Sequence, residues 1–367
     1  MTAAVRPPRV VIAGGGTGGH LYPGIAVAHE MIARRPGTVV TFAGTARGIE
    51  SRVVPRAGFE LDLIRSGGLK GKSMGARIRG MGLLPVSALD AWRLLSRRAP
   101  QLVIGVGGYS SGPVVALAAL RGIPTLLLEQ NAVPGLTNRL LAPLVRAAAV
   151  TYESTLPFFR GKGFVAGNPV RAEFLRPPDH RVDRAPGAAL RVLIFGGSQG
   201  AHAINLACVE AAPKLAAAVP PLAVTHQTGE RDVEMVRQGY ARAGLAARVE
   251  PFLFEMDREM NAADLVVSRA GATTLAEITA AGKPSILIPL PTATDDHQRK
   301  NAQVLSAAGA AEVIDQRELS GNRLAVRIMA LAADAAGRAA MGDAARTLAR
   351  PEAAATIAER ALGLVEE

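Results

Sequence analysis

The chain has 367 residues, which is too many for one ordinary hydrophobic core and suits two domains. Hydrophobic residues make up 49% and charged residues 20%, a globular composition that excludes a disordered or fibrous protein. The single cysteine, Cys208, excludes a disulfide framework and a cysteine zinc site, and it fits a reducing cytoplasm. The N-terminus lacks an apolar signal segment and no apolar run approaches the roughly 18–20 residues that span a bilayer, so we expect a protein that is not integral to the membrane.

The formal net charge of +11 predicts an anionic partner, such as phosphate groups, nucleic acid or anionic lipid. The charge is concentrated between residues 65 and 98, where eight basic residues accompany one acid, Asp90. This segment therefore carries seven of the eleven net charges.

The first half of the chain alternates short apolar runs with helical patterns. Strands are predicted at residues 9–15, 38–45, 59–66, 101–108 and 125–131, and a helix is predicted at residues 17–35. Short buried strands that alternate with helices are typical of a parallel sheet with right-handed crossovers.

The second half repeats this pattern from residue 189 onwards. Strands are predicted at residues 189–197, 222–229, 248–254, 264–271, 285–291 and 311–315. The sequence thus predicts an α/β fold of two doubly wound, Rossmann-like parallel-sheet domains. Residues 176–189, rich in proline and charge, predict a linker or exposed loop, and residues 349–367 predict a helix with Pro351 near its first turn.

The first glycine-rich turn, GGGTGGH at residues 14–20, satisfies the pattern G-x-G-x-x-G. A dinucleotide site also needs an acid about 20 residues further on, where this chain reads VVTFAGT, so NAD and FAD are disfavoured. Glycines that admit a ligand close to the backbone, followed by a helix N-terminus, still predict a phosphate site, although a plain tight turn is the alternative. His20 ends this turn where a ligand would lie.

A second turn, GGSQGA at residues 196–201, opens the second domain, and its Ser198 and Gln199 add side-chain hydrogen bonds. Two such turns indicate a cleft with one ligand on each side. In SRAGATTLAE, residues 268–277, Thr273 and Thr274 are expected to cap a helix whose N-terminus faces an anion. Glu277 could accept both ribose hydroxyls of a nucleotide, or it could be an exposed helix charge.

A fourth motif, DDHQRKNA at residues 295–302, places polar side chains on a loop that leads into a helix. Gln298 and Asn301 could hydrogen-bond sugar hydroxyls. His297 lies beside Asp296, but no second histidine follows at ligand spacing, so no metal site is predicted.

Taken together, the motifs resemble the MurG family of glycosyltransferases (family 28) over essentially the whole chain. They are GGTGGHLYPGIAVA (15–28), GVGGYSSGP (105–113), EQNAVPGLTNR (129–139), GNPVR (167–171), FGGSQGA (195–201), SRAGATTLAE (268–277) and DHQRKNA (296–302). One motif alone would be weak, whereas seven in the family's order are highly specific. The PFLFEM segment, residues 251–256, departs from the family in its bulky Phe252 and Phe254.

The resemblance implies a GT-B fold with the active site in the cleft between two domains. It implies an acceptor and membrane-associating domain, residues 1–168 joined by the helix at about 349–367, and a donor domain, residues 169–348. The implied enzyme is an inverting hexosyltransferase that moves N-acetylglucosamine from UDP-N-acetylglucosamine to the 4-hydroxyl of undecaprenyl-pyrophosphoryl-N-acetylmuramyl-pentapeptide (lipid I), giving lipid II for peptidoglycan. No cofactor is expected, and a divalent cation would at most stimulate the reaction without binding the protein.

The resemblance also implies roles for individual residues. The catalytic candidates are His20, favoured as base because its ordinary pKa suits neutral pH, and Glu129, which could orient His20 or act itself. The acceptor site is expected to use His20, Tyr109, Glu129, Asn131 and Asn138. The donor site is expected to use Thr17, Gly18, Gly19, Asn131, Arg171, Ser198, Gln199, the Leu253 backbone, Ala272, Thr273, Thr274, Leu275, Ala276, Glu277 and Gln298.

A lipid-linked acceptor requires a docking face, and the basic segment is the best candidate for it. Apolar and basic residues are mixed there as in interfacial surfaces, although a solvated helix face is the alternative. The candidate membrane residues are Lys70, Lys72, Arg77, Ile78, Arg79, Met81, Leu83, Leu84 and Trp92. We therefore expect a peripheral protein on the cytoplasmic face of the membrane that meets anionic lipid and partners of cell-wall synthesis and division.

Three other functions are less well supported by the sequence. Another GT-B glycosyltransferase, acting on a different lipid or small-molecule acceptor, would lack the motifs of the first domain. A UDP-N-acetylglucosamine epimerase would depend on carboxylates, and the motifs show no clear acid pair beyond Glu129 and Glu277. A nucleic-acid-binding protein would fit the charge, but the chain has no helix-turn-helix, RNP-type or zinc signature, so no nucleic-acid partner is expected.

Overall fold

The computed structural model describes residues 7–46, 48–66, 83–175, 188–197 and 199–366. The chain divides into two compact units, Met1–Arg171 with Arg350–Glu367, and Ala172–Ala349. The domain boundaries predicted from the sequence lie within three residues of these. Most of the predicted linker, residues 176–187, lies outside the described residues.

Each unit contains one sheet in which every strand pair is parallel. The N-terminal unit contains β1 (Arg9–Gly14), β2 (Val39–Gly44), β3 (Glu60–Leu63), β4 (Leu102–Gly107), β5 (Thr125–Glu129), β6 (Ala147–Val150) and β7 (Gly163–Val165), in the order β3-β2-β1-β4-β5-β6-β7. The C-terminal unit contains β8 (Leu190–Phe195), β9 (Leu222–Gln227), β10 (Ala247–Glu250), β11 (Leu265–Ser268), β12 (Ser285–Leu287) and β13 (Glu312–Val313), in the order β10-β9-β8-β11-β12-β13.

Helices connect the strands of both sheets. They are α1 (Gly18–Arg34), α2 (Glu50–Arg56), α3 (Leu84–Arg98), α4 (Ser111–Leu120), α5 (Leu136–Leu141), α6 (Ala172–Leu175), α7 (His202–Ala216), α8 (Val233–Ala243), α9 (Met256–Ala262), α10 (Ala272–Ala280), α11 (His297–Ala307), α12 (Gly321–Ala333), α13 (Ala335–Leu348) and α14 (Ala353–Glu366). Short 3-10 turns lie at Glu153–Phe159, Thr294–Asp296 and Gln316–Glu318.

The sheet of the N-terminal unit is buried on both faces. Val10 and Ile12 of β1 belong to a core shared with α1, α2 and α14, whereas the alternate residues Val11 and Ala13 belong to a core shared with α3, α4 and α5. Successive side chains of a strand point to opposite faces, so a continuous apolar run is what a two-sided core requires.

The end of the chain returns to the N-terminal unit. In α14, Ile357 and Ala361 are fully buried in the core that α1 also lines. The predicted terminal helix is confirmed, but it begins at Ala353, two residues after Pro351.

The C-terminal unit also has a core on each face of its sheet. Val192 and Ile194 of β8 pack with α7, α8 and α12, and Leu193 and Phe195 pack with α9, α10, α11 and α13. Cys208 of α7 lies in the first of these cores, and burial raises the pKa of its thiol to about 12.

The strand orders define where ligands bind in such sheets. The chain runs outward from β1 through β2 to β3 on one side and begins again at β4 on the other, and β8 and β11 form the corresponding pair in the second sheet. Ligands of doubly wound folds bind beyond the carboxyl ends of the strands at these switch points. Both predicted glycine turns, after β1 and after β8, lie there.

Among the described residues, no helix combines the length and the apolar character needed to cross a membrane.

Candidate active site

The first glycine turn leads from β1 directly into α1. Gly16 adopts a φ of +86°, a left-handed conformation that favours glycine. Thr17 is the extended N-cap residue of α1, and its side chain makes no capping hydrogen bond. The helix therefore presents N–H groups of its first turn where an anion would bind.

His20 lies in the first turn of α1, beside the end of β4. A Cβ atom on Gly107 would lie 2.8 Å from Nδ1 of His20, so the ring packs on glycine backbone. Nδ1 is 3.2 Å from Oε1 of Gln130, and Nε2 of Gln130 donates to the Val106 carbonyl at 3.1 Å. Because Oε1 can only accept, Nδ1 of His20 carries the proton and Nε2 keeps its lone pair.

The environment of His20 favours the neutral ring. Burial lowers the pKa of His20 below 6.5, and this effect outweighs the hydrogen bonds to Gln130 and the Val106 carbonyl, which raise it. A neutral imidazole with a lone pair on Nε2 is the form that a general base requires.

Glu129, at the end of β5, is buried and holds the following loop. Its Oε1 accepts from the backbone N–H and Nδ2 of Asn131 at 3.0 and 3.2 Å, and its Oε2 accepts from Gly135 N and Asn138 Nδ2 at 3.0 and 2.8 Å. Burial raises the pKa of Glu129, against these hydrogen bonds, which lower it. Four bonds fill the usual capacity of a carboxylate, an arrangement that suits an anchor better than a base.

The other predicted acceptor residues differ in exposure. Tyr109, just after β4, is 47% exposed, whereas Asn138 is buried at 3%. Nδ2 of Asn138 donates to Glu129 and to the Leu128 carbonyl, but its buried Oδ1 has no hydrogen-bond partner among the described residues. That oxygen could accept a hydrogen bond from a ligand hydroxyl.

Glu50, the first residue of α2, was not predicted as a site residue. It is fully buried, and its Oε2 accepts from the backbone N–H of Gly16 at 2.8 Å. Its Oε1 accepts from the backbone N–H and Oγ1 of Thr45, each at 2.8 Å. No local motif marks this contact, because Glu50 lies 34 residues beyond Gly16.

The second glycine turn packs tightly against the loop after β9. Gly200 has a φ of +72°, and a Cβ there would lie 1.7 Å from the Thr228 carbonyl oxygen. Gln199 is exposed, and Ala201, the N-cap residue of α7, has no side-chain cap. Ser198 lies outside the described residues.

A polar network lies behind this turn. Asn205 of α7 donates to the Thr228 carbonyl at 2.9 Å and to Asp232 at 2.8 Å, and its Oδ1 is 3.1 Å from Nε2 of His226. Asp232 also bonds His202 at 2.9 Å. Burial lowers the pKa of His226 to about 3, so the network is built around a neutral histidine.

The N-terminus of α10 is also uncapped by a side chain. Gly271 is its N-cap residue, so the prediction that Thr273 and Thr274 cap this helix was wrong; both lie in its first turn. Leu275 is a core residue, which leaves only its backbone for a ligand. Glu277, one turn further on, is buried at 6%, so it is not an exposed helix charge.

The loop after β10 exposes two aromatic rings. Phe252 is 44% and Phe254 is 85% exposed, and their rings meet edge to face with centroids 5.0 Å apart. The side chain of Leu253 between them is buried in the core, so only the backbone of Leu253 can meet a base.

The loop before α11 contains two strained residues. Asp295 and Asp296 adopt φ angles of +55° and +54°, which side-chain-bearing residues rarely do. Oε1 of Gln298 accepts from Leu290 N at 2.9 Å, which directs the carboxamide. Asn301 is fully buried and its Nδ2 donates to the Ala270 carbonyl at 3.4 Å, and its contact with sugar hydroxyls stays a prediction.

Two arginines differ in their surroundings. The guanidinium of Arg171, the last residue before the C-terminal unit, lies 5.1 Å from the centre of the Tyr22 ring. Arg269 was not predicted; its guanidinium donates to the carbonyls of Ile288 and Pro289 at 3.0 and 3.3 Å and to Gln316 at 2.7 Å. Arg269 therefore joins the ends of β11 and β12 to the turn after β13.

The predicted membrane residues are only partly described. Lys70, Lys72, Arg77, Ile78, Arg79 and Met81 lie outside the described residues, as does the side chain of Leu84. Leu83 precedes α3, and Trp92 of α3 is 53% exposed, with the Arg121 guanidinium 6.0 Å from its ring centre. Among the described residues, no group of three or more His, Cys, Asp or Glu is placed to hold a metal.

Solved structures of similar fold show the class of this protein. The structure resembles MurG from Acinetobacter baumannii with a TM-score of 0.79 and 30% sequence identity, covering 97% of this chain and 100% of that one. It also resembles a putative UDP-N-acetylglucosamine 2-epimerase from Listeria monocytogenes, with a TM-score of 0.68, 14% identity, and 96% and 95% coverage, a likeness of fold alone. The fold is therefore of the GT-B type, with two Rossmann-like domains.

Family models and sequence relatives agree with this class. The N-terminal and C-terminal domains of glycosyltransferase family 28 match residues 10–150 and 191–357. A protein of Anaeromyxobacter sp. (strain K), named UDP-N-acetylglucosamine--N-acetylmuramyl-(pentapeptide) pyrophosphoryl-undecaprenol N-acetylglucosamine transferase, is 47% identical over 362 residues, covering 97% of this chain and 93% of that protein. The chain belongs to glycosyltransferase family 28, and the predictions of the family and of the GT-B fold are confirmed.

Proposed function

We propose that this enzyme transfers N-acetylglucosamine from UDP-N-acetylglucosamine to the 4-hydroxyl of N-acetylmuramyl-pentapeptide on undecaprenyl pyrophosphate. Support comes from the name of the relative that is 47% identical over nearly the whole chain. The observation that carries the chemistry is His20, a neutral histidine with its lone pair on Nε2, beside a helix N-terminus at a switch point.

The proposed reaction is a single displacement that inverts the anomeric centre. Nε2 of His20 takes the proton of the acceptor 4-hydroxyl as its oxygen attacks C1 of N-acetylglucosamine. The bond from C1 to the β-phosphate oxygen breaks, and UDP leaves with the electron pair. Gln130 keeps the His20 tautomer, and Glu129 acts as a positioning residue through Asn131 and Asn138.

The donor is proposed to bind on the C-terminal unit. The uncapped N-termini of α7 and α10 offer N–H groups to the diphosphate, aided by Ser198, Gln199 and the charge of Arg171. The ribose meets Glu277, the sugar meets Gln298, and the uracil meets the Leu253 backbone. Because these groups can offset the charge of the leaving UDP, we propose that a protein-bound metal is not required.

The acceptor is proposed to bind on the N-terminal unit, beyond the carboxyl ends of its strands. The N–H groups of the residue 17–19 turn would meet its pyrophosphate or complete the donor site. Tyr109, Asn131 and Asn138 would line its sugar, and Asn138 brings a buried oxygen for which the described part of the chain supplies no hydrogen-bond partner.

The enzyme is further proposed to act as a peripheral protein at the cytoplasmic membrane surface. The lipid carrier of the proposed acceptor resides in a bilayer, and residues 65–98 carry seven of the eleven net positive charges. Such a cluster attracts anionic headgroups.

A transfer assay with labelled UDP-N-acetylglucosamine and a short-chain, water-soluble analogue of the acceptor tests this function. We expect a disaccharide product of inverted configuration, and we expect His20→Asn to lose most turnover at saturating substrates. Transfer only to an unrelated lipid or small molecule would favour another GT-B glycosyltransferase. Epimerisation of the donor in the absence of acceptor would refute the assignment.

A further inference from the structure

Glu50 lies in a cradle of glycine backbone. It is fully buried although it begins a helix, and three glycines from separate positions surround its side chain. A Cβ on Gly15 would lie 2.4 Å from its carboxyl carbon, one on Gly44 would lie 2.6 Å from its Cγ, and one on Gly48 would lie 2.0 Å from its Oε2. Every one of these distances is too short for a side chain, so the local backbone fits around this carboxyl group.

The partners that the described residues give Glu50 are all hydrogen-bond donors. Gly16 N, Thr45 N and Thr45 Oγ1 bond its two oxygens at 2.8 Å each. Burial alone would raise the pKa of Glu50, but these hydrogen bonds outweigh it and the pKa is lowered. The group is therefore an ionised carboxylate at neutral pH, and its partners among the described residues are neutral hydrogen-bond donors.

The turn that Glu50 holds is the one that carries the proposed base. Gly16 precedes Thr17, the N-cap residue of α1, and His20 lies in the first turn of that helix. On its other side, the turn touches the end of β4, because a Cβ on Gly108 would lie 2.6 Å from the Gly15 carbonyl oxygen. Residues 15 and 16 are thus fixed between Glu50 and the β4 end.

We propose that Glu50 is a positioning residue for glycosyl transfer, an internal anion that occupies the Gly16 end of the first glycine turn and sets the place of residues 17–20. This inference rests on the proposed function. It implies that the Gly16 N–H is committed to the protein, so that an acceptor phosphate meets the turn from Thr17 onwards. The turn at residues 196–201 is held in a different way, because the backbone N–H of Gly200 donates to the Gly197 carbonyl of the same turn at 2.9 Å.

Glu50→Gln is the sharpest test because it keeps the volume that fills the cradle. An amide has one oxygen and one NH2 group, so either Gly16 N or Thr45 N must face another donor, whichever way the amide turns. With the water-soluble acceptor, we expect kcat to fall about ten-fold or more, as for loss of a hydrogen bond to a charged group. We expect the KM for UDP-N-acetylglucosamine to rise by a smaller factor than kcat falls, because most of the proposed donor residues lie on the C-terminal unit.

Asp62→Asn is the matched control. Asp62 of β3 is also a buried carboxylate of the same sheet, but its partners are Arg97 and Arg98 and it does not touch the turn. We expect this variant to lower Tm while kcat stays near that of the wild type. A kcat for Glu50→Gln within two-fold of the wild type would overturn the inference. So would a result in which Glu50→Gln and Asp62→Asn lose kcat in the same proportion to their loss of Tm.

Thr45→Val decides the question if Glu50→Gln does not fold. It removes one of the three donors and leaves the carboxylate in place, so we expect a smaller fall in kcat, about three-fold, and a smaller change still in the donor KM. A kcat equal to that of the wild type would overturn the inference. Failure of the proposed function is distinct, because the wild type itself would then not transfer to the acceptor.

Discussion

His20 and Gln130 together set the pH range in which the proposed base can work. The base must be neutral, and burial lowers the pKa of His20 below 6.5. Activity should therefore be complete at neutral pH and be lost as the pH falls through that lowered pKa. We expect the acid limb of the kcat/KM profile to lie below pH 6.5. An acid limb above this value would exclude His20 as the titrating base.

Gln130→Glu tests the same assignment by changing the pKa of His20. A carboxylate beside Nδ1 would favour the imidazolium and so raise the pKa of His20, by about one unit or more for a charge in hydrogen-bond contact. The acid limb should move to higher pH while the plateau at alkaline pH is less affected. An unmoved limb would show that Gln130 does not face the titrating group.

Glu277 tests the donor site at the level of one side chain. Loss of a hydrogen bond to a charged group costs about 1.5–3 kcal/mol. Glu277→Ala should therefore raise the KM for UDP-N-acetylglucosamine about ten-fold or more. Glu234→Ala, on α8 of the same unit, serves as control because the described partner of Glu234 is Gln238 of its own helix. Equal donor KM values for the two variants would remove Glu277 from the site.

The residues predicted from the sequence are those marked by local spacing. The G-x-G-x-x-G spacing, followed by His20, predicts a turn and its ligand without reference to the rest of the chain. Glu50 and Gln130 contact that turn from 34 and 110 residues away, and a single sequence carries no sign of such pairings. The prediction that Thr273 caps its helix failed locally, because the N-cap residue is Gly271 and the helix begins at the next position.

Among the elements, the two short strands β6 and β7 were missed. β6 reads AAAV, which has weak strand propensity, and β7 reads GFV, which is only three residues long. In β6, Ala147 and Ala149 face one core while Ala148 and Val150 face the other. Tertiary packing therefore makes a strand of a segment whose own preferences do not specify one.

The second glycine turn provides a prediction at this scale. Gly200→Ala and Gly309→Ala place a side chain on residues of nearly equal φ, +72° and +73°. Only at Gly200 would the new Cβ meet backbone, 1.7 Å from the Thr228 carbonyl oxygen, whereas no atom lies within 4 Å at Gly309. Both variants should be destabilised by conformational strain, on the order of 1 kcal/mol.

Gly200→Ala should in addition displace the turn from the loop after β9 and weaken the binding of the donor. Calorimetry with UDP should show clearly weaker binding for Gly200→Ala, with Gly309→Ala close to the wild type. Equal UDP affinities for the two variants would mean that the turn does not bind the diphosphate.

For the whole molecule, the uneven charge distribution predicts where it meets a membrane. Trp92 is the only tryptophan, it lies within the basic segment, and it is 53% exposed. Vesicles that contain phosphatidylglycerol should shift its fluorescence emission to the blue, and added salt should reverse the shift. Neutral vesicles should have little effect.

Charge reversal tests whether vesicle binding depends on the basic segment or on the net charge of the protein. Changing Lys70, Lys72, Arg77 and Arg79 to Glu should abolish the shift and spare transfer to a water-soluble acceptor. The matched control reverses four exposed arginines of the other unit, Arg242, Arg258, Arg317 and Arg323. Equal loss of vesicle binding in the two variants would show that net charge alone, without a docking face, holds the protein to lipid.

Because Cys208 is buried, the reactivity of its thiol reports on the unfolding of the native chain. Its thiol is fully buried in the C-terminal unit and its pKa is raised to about 12, so a thiol reagent at neutral pH can reach it only after that unit opens. Trp92 reports on the other unit. Thiol labelling and tryptophan emission, followed in the same denaturant titration without any introduced label, would therefore record the unfolding of each half of the chain separately.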